Sequence, residues 1–233
     1  MQPGRAETIR YHQELFSGQS LSSASWLQQP SPLVMRALDW LAPTGELRVL
    51  DLGCGIGRHS LPIARCLGER CRIVAVDLLP IAAHRLMELA TVQQVAHCIQ
   101  AVVADFEAYA FESSSLDFVV ACSVLEHASS EAAFRRTLDR AANATRPGGL
   151  HALVIGTDKV ERTSCGQSSP ALVEFPLCRA TALAHIEAVY AGWTILELSG
   201  GDFVVHESRQ QQAYELHTHC VRVLARRDAP RRS

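Results

Sequence analysis

Apolar runs of strand length alternate along the chain with segments whose apolar residues recur at helical spacing. The runs that predict buried strands lie at residues 48–52, 72–76, 101–104, 118–122 and 150–155. The segments between them predict helices at residues 60–67, 80–90 and 132–144. Strands separated by helices pair in parallel through crossover connections, so the pattern predicts a doubly wound α/β sheet.

The flanking segments extend this plan. Residues 1–45 predict a helical lead-in that serves as a lid and contains Trp26, and residues 156–176 are polar and rich in turn residues. A helix at residues 181–190 and two strands at residues 194–199 and 218–225 follow. The prediction is one Rossmann-like domain over residues 46–227, with seven mostly parallel strands, helices on both faces, and a disordered tail at residues 228–233.

Composition narrows the class of protein. The chain has 233 residues, of which 48% are hydrophobic and 20% charged, which is enough to bury one full core. The formal net charge of -2 supplies no basic field for a nucleic acid. The opening residues resemble no signal peptide, and no apolar run is long enough to span a membrane. We expect a soluble cytoplasmic protein that binds neither nucleic acid nor membrane.

The eight cysteines are scattered through apolar stretches without a CxxC pair or a Cys/His cluster of zinc spacing. We expect reduced, mostly buried thiols and no metal site.

The stretch LDLGCGIGRHS, at residues 50–60, follows the first predicted strand and carries Gly53, Gly55 and Gly57. In a doubly wound sheet this turn approaches the ligand most closely, and glycines let the ligand touch the main chain. A dinucleotide fingerprint would have a third glycine at position 58, where this chain has Arg58. Asp51 precedes the glycines, where its charge would repel a pyrophosphate and attract a cation. The ligand should therefore carry positive charge near this turn.

Residues 48–155 resemble the class I S-adenosylmethionine-dependent methyltransferases. The glycine turn matches the family's first motif, which implies that Asp51 helps to hold the cofactor's amino group. Asp77, which ends the second strand, stands where the family binds both ribose hydroxyls. Asp105 and Phe106 match its adenine position, and Ser123 ends the fourth strand near the cofactor. The full cofactor set that the resemblance implies is Asp51, Gly53, Cys54, Gly55, Gly57, Asp77, Leu78, Asp105, Phe106 and Ser123.

The second half is similar to the tellurite-resistance methyltransferases. The similarity lies in the glycine motif GCGIGRHSLPIA, in the stretch EFPLCRATALAHIEAVYAGWTILEL, and in the segments FVVHESR and THCVRVLARR. The chain has His206-Glu207 where that family has a His-Arg pair, and His219 where it has an arginine. No Asn-Pro-Pro-aromatic motif follows the fourth strand, which favours a small-molecule acceptor.

The candidate catalytic residues are His206, His127, His219 and Arg179. We expect the acceptor pocket between the end of the fourth strand, the loop at residues 156–176 and His206, with Trp26 closing the other side. A histidine there can bind an oxyanion as a cation or remove a proton as a neutral base.

Three functions remain open at this point. The favoured one is methyl transfer to a small molecule such as tellurite, selenite or a thiol. The second is O- or N-methylation of a biosynthetic metabolite. The third is a non-catalytic cofactor-binding protein or a nicotinamide-dependent protein, since the position of Asp77 also suits a nicotinamide-binding fold.

Overall fold

The computed structural model of the chain describes residues 2–18, 29–42, 45–163, 165–209 and 212–229, and Trp26 lies outside them. The α-helices among these residues are α1 (Pro3–Ser17), α2 (Pro32–Ala37), α3 (Ser60–Leu67), α4 (Pro80–Val92), α5 (Glu131–Ala144) and α6 (Arg179–Val189). Short 3₁₀ helices lie at Leu38–Trp40, Gly68–Arg70, Ala96–Cys98 and Leu125–His127.

One sheet forms the centre of the fold. Its strands are β1 (Leu47–Leu52), β2 (Cys71–Asp77), β3 (Ile99–Val103), β4 (Leu116–Cys122), β5 (Thr145–Thr163), β6 (Ser168–Pro170), β7 (Trp193–Arg209) and β8 (Gln212–Arg227). The order across the sheet is β3-β2-β1-β4-β5-β8-β7, and β6 pairs with β5. The first five strands pair in parallel, whereas β8 is antiparallel to β5 and β7. The predicted fold class is confirmed.

The last strands are longer than the sequence pattern indicated. Residues 156–163 continue β5, and β6 pairs back onto them, so much of the predicted polar loop is sheet. β7 and β8 run on together as a long antiparallel hairpin, paired from Trp193↔Arg227 to Arg209↔Gln212. β8 runs to Arg227, where the predicted domain ends, and residues 230–233 of the predicted tail lie outside the described part of the chain.

Side chains of the central strands alternate between two cores. On one face Phe118 and Val120 pack in a cluster with residues of α2, α3 and α4. On the other face Val119 and Ala121 pack in a cluster with residues of α5 and α6. This alternation is what a parallel strand covered by helices on both faces requires.

The lead-in segment is not one lid. In α2, Leu33, Val34 and Ala37 are part of the buried core. In α1, Phe16 is buried against Ile56 and Leu79, at the edge of the sheet where the strands end. The two helices therefore do different jobs, since α2 completes the core and α1 covers the edge.

A buried histidine of β5 forms hydrogen bonds that link the sheet to the residue following α6. His151 on β5 lies between Thr145 and Tyr190, at 2.7 Å from each hydroxyl. The Thr145 hydroxyl donates to Ala141 O, so His151 Nε2 donates to Thr145 and Nδ1 accepts from Tyr190. Burial lowers the pKa of His151 to about 3, so this histidine stays neutral in the folded protein.

None of the described helices is long and apolar enough to cross a membrane. The cysteines are all free; Cys54, Cys71, Cys98 and Cys122 are buried, and Cys66, Cys165 and Cys178 are exposed. The expectation of mostly buried thiols therefore holds for half of them.

Candidate functional site

The turn after β1 is held open by glycines in the left-handed region. Gly53 and Gly55 have φ values of 64° and 51°, which favour glycine over other residues. A Cβ on Gly53 would lie 2.5 Å from Val124 Cβ, and one on Gly55 would lie 3.2 Å from Phe16 Cζ. The bare backbone at these two positions therefore leaves room along the wall of a cavity.

Gly57 serves a different purpose from the other two. Its φ is 96°, and a Cβ there would lie 2.5 Å from Leu86 Cδ1 and 2.8 Å from Leu61 Cγ. These atoms belong to α4 and α3, so this glycine permits the close packing of two helices. Gly57 is not among the residues that line the cavity, and its cofactor contact stays a prediction.

Asp77, at the end of β2, faces this turn. Its Oδ2 accepts from Gly55 N and its Oδ1 from Leu79 N, each at 2.9 Å. Each carboxylate oxygen has a second lone pair that remains available to a ligand in the cavity. Burial raises the pKa of Asp77, and the two backbone N–H groups oppose that rise.

Asp51 lies beneath the turn rather than on the cavity wall. Its Oδ2 accepts from the Ser60 hydroxyl at 2.6 Å, whereas the buried Oδ1 has no partner among the described residues. Burial raises the pKa of Asp51 to about 7 against the Ser60 hydrogen bonds. A cation nearby would stabilise this carboxylate, although Asp51 is not among the residues that line the cavity.

The end of β3 brings a second acid to the same cavity. Asp105 Oδ1 accepts from Glu107 N at 3.0 Å, and Oδ2 accepts from Arg5 of α1 at 2.5 Å. Phe106 is buried beside it, in contact with the core of the α5 face. The α1 helix therefore already provides a donor to the carboxylate that is predicted to read adenine.

These groups line one cavity of about 450 Å³, within the range of roughly 300–1,000 Å³ typical of ligand sites. The predicted cofactor residues that the structure brings to its wall are Gly53, Cys54, Gly55, Asp77, Leu78, Asp105, Phe106 and Ser123. Ser123 follows β4 directly and has a φ of 57°, a strained conformation of the kind found at functional sites.

A histidine and a carboxylate meet in the other half of the cavity. His127 Nδ1 lies 3.2 Å from Oε2 of Glu174, whose side chain is 2% exposed. Burial opposes ionisation of Glu174, but the His127 hydrogen bond helps to lower its pKa to about 2. Because the carboxylate can only accept, Nδ1 of His127 carries the proton and Nε2 is free to accept one.

A second histidine reaches this point from α1. The His12 ring lies edge-on to His127, with ring centroids 5.8 Å apart. His12 Nδ1 lies 2.8 Å from Thr8 O, so it donates there. Burial and the charge of His127 lower the pKa of His12 to about 4, which keeps this ring neutral.

The other three predicted catalytic residues do not reach the cavity. The cavity face carries odd-numbered residues of β7 (Phe203, Val205, Glu207 and Arg209) and even-numbered residues of β8 (Tyr214, Leu216, Thr218, Cys220 and Arg222). Successive side chains of a strand point to opposite faces, so His206 and His219 point away. His206 is 81% exposed beside Glu215, and His219 bonds to Asp202 at 2.8 Å. Arg179 begins α6 outside the cavity, with its backbone N–H on the Asp158 carboxylate.

Ion pairs fasten α1 across the hairpin. Arg209 of β7 binds Glu7 of α1 and Glu161 of β5, each at 2.8 Å. Glu7 also accepts from Arg10 at 2.6 Å, and these two arginines lower its pKa to about 2 against burial. Together with the Arg5–Asp105 pair, these contacts hold α1 over both halves of the cavity.

The fold and this cavity define a class of protein. A doubly wound sheet with acids after β2 and β3, and a glycine turn after β1, is built to hold a nucleoside-bearing ligand. Residues 49–149 match a family model described as a methyltransferase domain. The predicted resemblance to the class I S-adenosylmethionine-dependent methyltransferases is confirmed over these residues.

Individual relatives match different parts of the chain. A chloroplastic tocopherol O-methyltransferase of Arabidopsis thaliana is 36% identical over 102 residues, which are 44% of this chain and 28% of that protein. The chain thus matches less than a third of the length of this relative.

Solved structures match the fold more completely. TehB from Haemophilus influenzae superposes with a TM-score of 0.67 at 20% identity, over 93% of this chain and 67% of that one. A structure described as "Conversion of a Disulfide Bond into a Thioacetal Group during Echinomycin Biosynthesis" superposes with a TM-score of 0.57 at 20% identity. It covers 97% of this chain and 93% of its own.

The residues present fit S-adenosylmethionine, the cofactor of this class. Asp77 offers two oxygens to vicinal hydroxyls, and the Gly53–Gly55 backbone leaves a cradle that a Cβ would narrow. Asp105 and Phe106 form a polar edge and an apolar face of the kind that suits adenine. The unpartnered Oδ1 of Asp51 suits a nearby positive charge.

Several cavity residues have no counterpart in the sequence predictions. These are Arg5 and His12 on α1, Glu126 on the 3₁₀ helix after β4, Lys159 within β5, and Glu174. Glu126 stands directly before the predicted catalytic residue His127, but no local sequence pattern shows that Glu126 also lines the cavity.

Proposed function

We propose that this protein transfers a methyl group from S-adenosylmethionine to the sulfur of a small thiol, with His127 as the general base. The observation that carries the proposal is the His127–Glu174 pair, which leaves Nε2 of a cavity histidine free to accept a proton. A carboxylate behind an imidazole fixes its orientation and stabilises the charge that develops on proton transfer.

A sulfur acceptor is supported by one of the solved structures that superpose on this chain. The structure whose title describes conversion of a disulfide into a thioacetal covers almost the whole chain, including the hairpin. The tocopherol O-methyltransferase matches only 44% of the chain, which limits its bearing on the acceptor. It favours a hydroxyl as the second candidate acceptor.

An oxyanion such as tellurite is less well supported by the geometry. His206, His219 and Arg179 lie outside the cavity. Arg209, which does line it, is occupied by Glu7 and Glu161. The two histidines that the sequence predicted for an oxyanion, His206 and His219, therefore do not line this cavity.

The chain's own groups have distinct tasks in this reaction. The cofactor supplies a methyl group bound to a positively charged sulfur, which leaves as a neutral thioether. His127 Nε2 removes the thiol proton, and the sulfur lone pair then forms the new S–C bond. Glu174 stabilises the resulting imidazolium, while α1 covers the cavity and excludes water.

The test is a methyl-transfer assay with thiols, phenols, amines, tellurite, selenite and RNA as acceptors. We expect thiols to be methylated, and His127→Asn to lower kcat by about 100-fold or more. Glu174→Gln should lower kcat by a smaller factor, because an amide stabilises the imidazolium formed on proton transfer less than a carboxylate does.

The matched control is His84→Asn, since His84 lies on α4 with 70% of its side chain exposed. Full thiol activity in His127→Asn would remove the base assignment. Methylation of another acceptor class in place of thiols would replace the proposed substrate.

A further inference from the structure

Glu126 and Lys159 form a buried pair of opposite charges that the proposed reaction does not use. Their side chains are 5% and 13% exposed, and Lys159 Nζ lies 3.7 Å from Glu126 Oε1. This separation is longer than an N–H···O hydrogen bond of about 2.7–3.2 Å. The two residues are thus in electrostatic contact without a direct hydrogen bond between these two atoms.

The Glu126 carboxylate has unsatisfied hydrogen-bonding capacity. Glu126 Oε2 is buried and has no hydrogen-bond partner among the described residues. An unpartnered buried polar atom is costly in free energy, so such atoms usually mark a place where another group binds. Lys159, the only lysine of the chain, brings three N–H donors to the same place.

Both residues line the cavity that holds His127, and both also line a smaller cavity of about 160 Å³ next to it. They therefore lie where the two cavities meet.

Gly156 of β5 keeps this place open. A Cβ on Gly156 would lie 2.8 Å from Glu126 Oε1, 3.0 Å from Lys159 Cε and 3.1 Å from Thr218 Oγ1. Three polar side chains thus converge on a single backbone position that has no side chain. Any residue larger than glycine would push them apart or fill the space between them.

A ligand group that satisfies both residues must supply a donor to Glu126 and an acceptor to Lys159. A lone carboxylate satisfies only the lysine, and a lone amine satisfies only the glutamate. An α-amino acid carries its ammonium and its carboxylate on one carbon, so the two can face Glu126 and Lys159 at once.

We propose that Glu126 and Lys159 bind the amino-acid head of the methyl acceptor, with its ammonium on Glu126 and its carboxylate on Lys159. The inference rests on the proposed function in that it makes the acceptor an amino-acid thiol. The amino-acid head binds where the two cavities meet, and the sulfur of the acceptor faces His127.

The experiment compares thiols that differ only in the head. Cysteine carries both charged groups, 3-mercaptopropionate lacks the ammonium, and cysteamine lacks the carboxylate; homocysteine and its analogues extend the series by one methylene. We expect the wild-type protein to prefer the complete head. Glu126→Gln should lower kcat/KM about 10- to 100-fold for cysteine and cysteamine and leave 3-mercaptopropionate unchanged.

Lys159→Met should show the opposite pattern, with losses for cysteine and 3-mercaptopropionate but not for cysteamine. Gly156→Ala should remove the preference for the complete head altogether. The control is Glu215→Gln, a carboxylate on the outer face of the hairpin. Ratios between acceptors measured on one preparation do not depend on how much of a variant is folded.

Equal ratios of kcat/KM between these acceptors in the wild type and in Glu126→Gln would overturn the inference, since Glu126 would then make no contact with the acceptor. If thiols lacking the head are methylated and cysteine and homocysteine are not, the inference fails and the proposed function stands. If no thiol is methylated, the proposed function fails. Calorimetric titration of the protein saturated with S-adenosylhomocysteine then decides the inference alone, because no heat with S-methylcysteine or S-methylhomocysteine overturns it.

Discussion

The assignment of Asp77 to the cofactor ribose can be tested with a quantitative prediction for Asp77→Ala. Its two carboxylate oxygens each hold one backbone N–H at 2.9 Å and retain a lone pair toward the cavity. A hydrogen bond to a charged group contributes about 1.5–3 kcal/mol, so loss of two hydroxyl contacts costs about 3–6 kcal/mol. This corresponds to a rise in Kd of roughly a hundredfold to ten-thousandfold.

The assay is calorimetric titration with S-adenosylhomocysteine, and with its 2′-deoxy analogue. The analogue separates ribose binding from damage to the turn, because Asp77 also positions Gly55 and Leu79. In the wild type, removal of the 2′-hydroxyl should weaken binding by about 1.5–3 kcal/mol. In Asp77→Ala the same removal should cost almost nothing.

Two results would refute the reasoning. One is an Asp77→Ala variant that binds S-adenosylhomocysteine within threefold of the wild type. The other is an equal loss of affinity for the deoxy analogue in both proteins, which would mean that Asp77 acts only on the turn. Urea unfolding of both proteins checks that the variant remains folded.

Two further predictions concern backbone and pH. Gly55→Val should abolish cofactor binding, because its Cβ would meet Phe16 at 3.2 Å beside the cavity. Gly192 also has a positive φ, but a Cβ there would have no described atom within 4 Å, so Gly192→Val should bind the cofactor normally. Normal cofactor binding by Gly55→Val would mean that Gly55 forms the turn without contacting the cofactor. For His151, whose pKa is lowered to about 3 while an unfolded histidine titrates near about 6.5, only the unfolded state gains the proton as pH falls between these values. The free energy of unfolding should thus fall by about 2 kcal/mol more from pH 7 to pH 5 in the wild type than in His151→Leu, and equal slopes in urea titrations would contradict the assignment.

The parts of the fold that local patterns specify were predictable. The first five strands alternate with helices in a regular way, and the glycines after β1 stand directly behind a buried run with Asp51 at its end. The family motifs that carried the resemblance lie within the same region, at residues 48–155. Eight of the ten predicted cofactor residues line the cavity for this reason.

The acceptor half was less predictable because it depends on pairing between distant segments. The face on which His206 lies is set by the register of β7 against β8, in which His206 opposes Glu215. In the sequence FVVHESR, apolar residues fall on both parities, so alternation alone does not show the inward face. The His127–Glu174 pair joins residues 47 positions apart, and a pattern of local periodicity contains no signal for it.

The ion pairs between α1 and the β7–β8 hairpin have a consequence for the order in which the protein folds during synthesis. Glu7 and Arg209 are 202 positions apart in sequence, yet their contact closes the roof of the cavity. A ribosome that adds about 5–20 residues per second exposes the cofactor half well before it finishes β7 and β8. We therefore expect a nascent chain to form its nucleoside site first. The cavity should remain open until the β7–β8 hairpin is synthesised and binds α1.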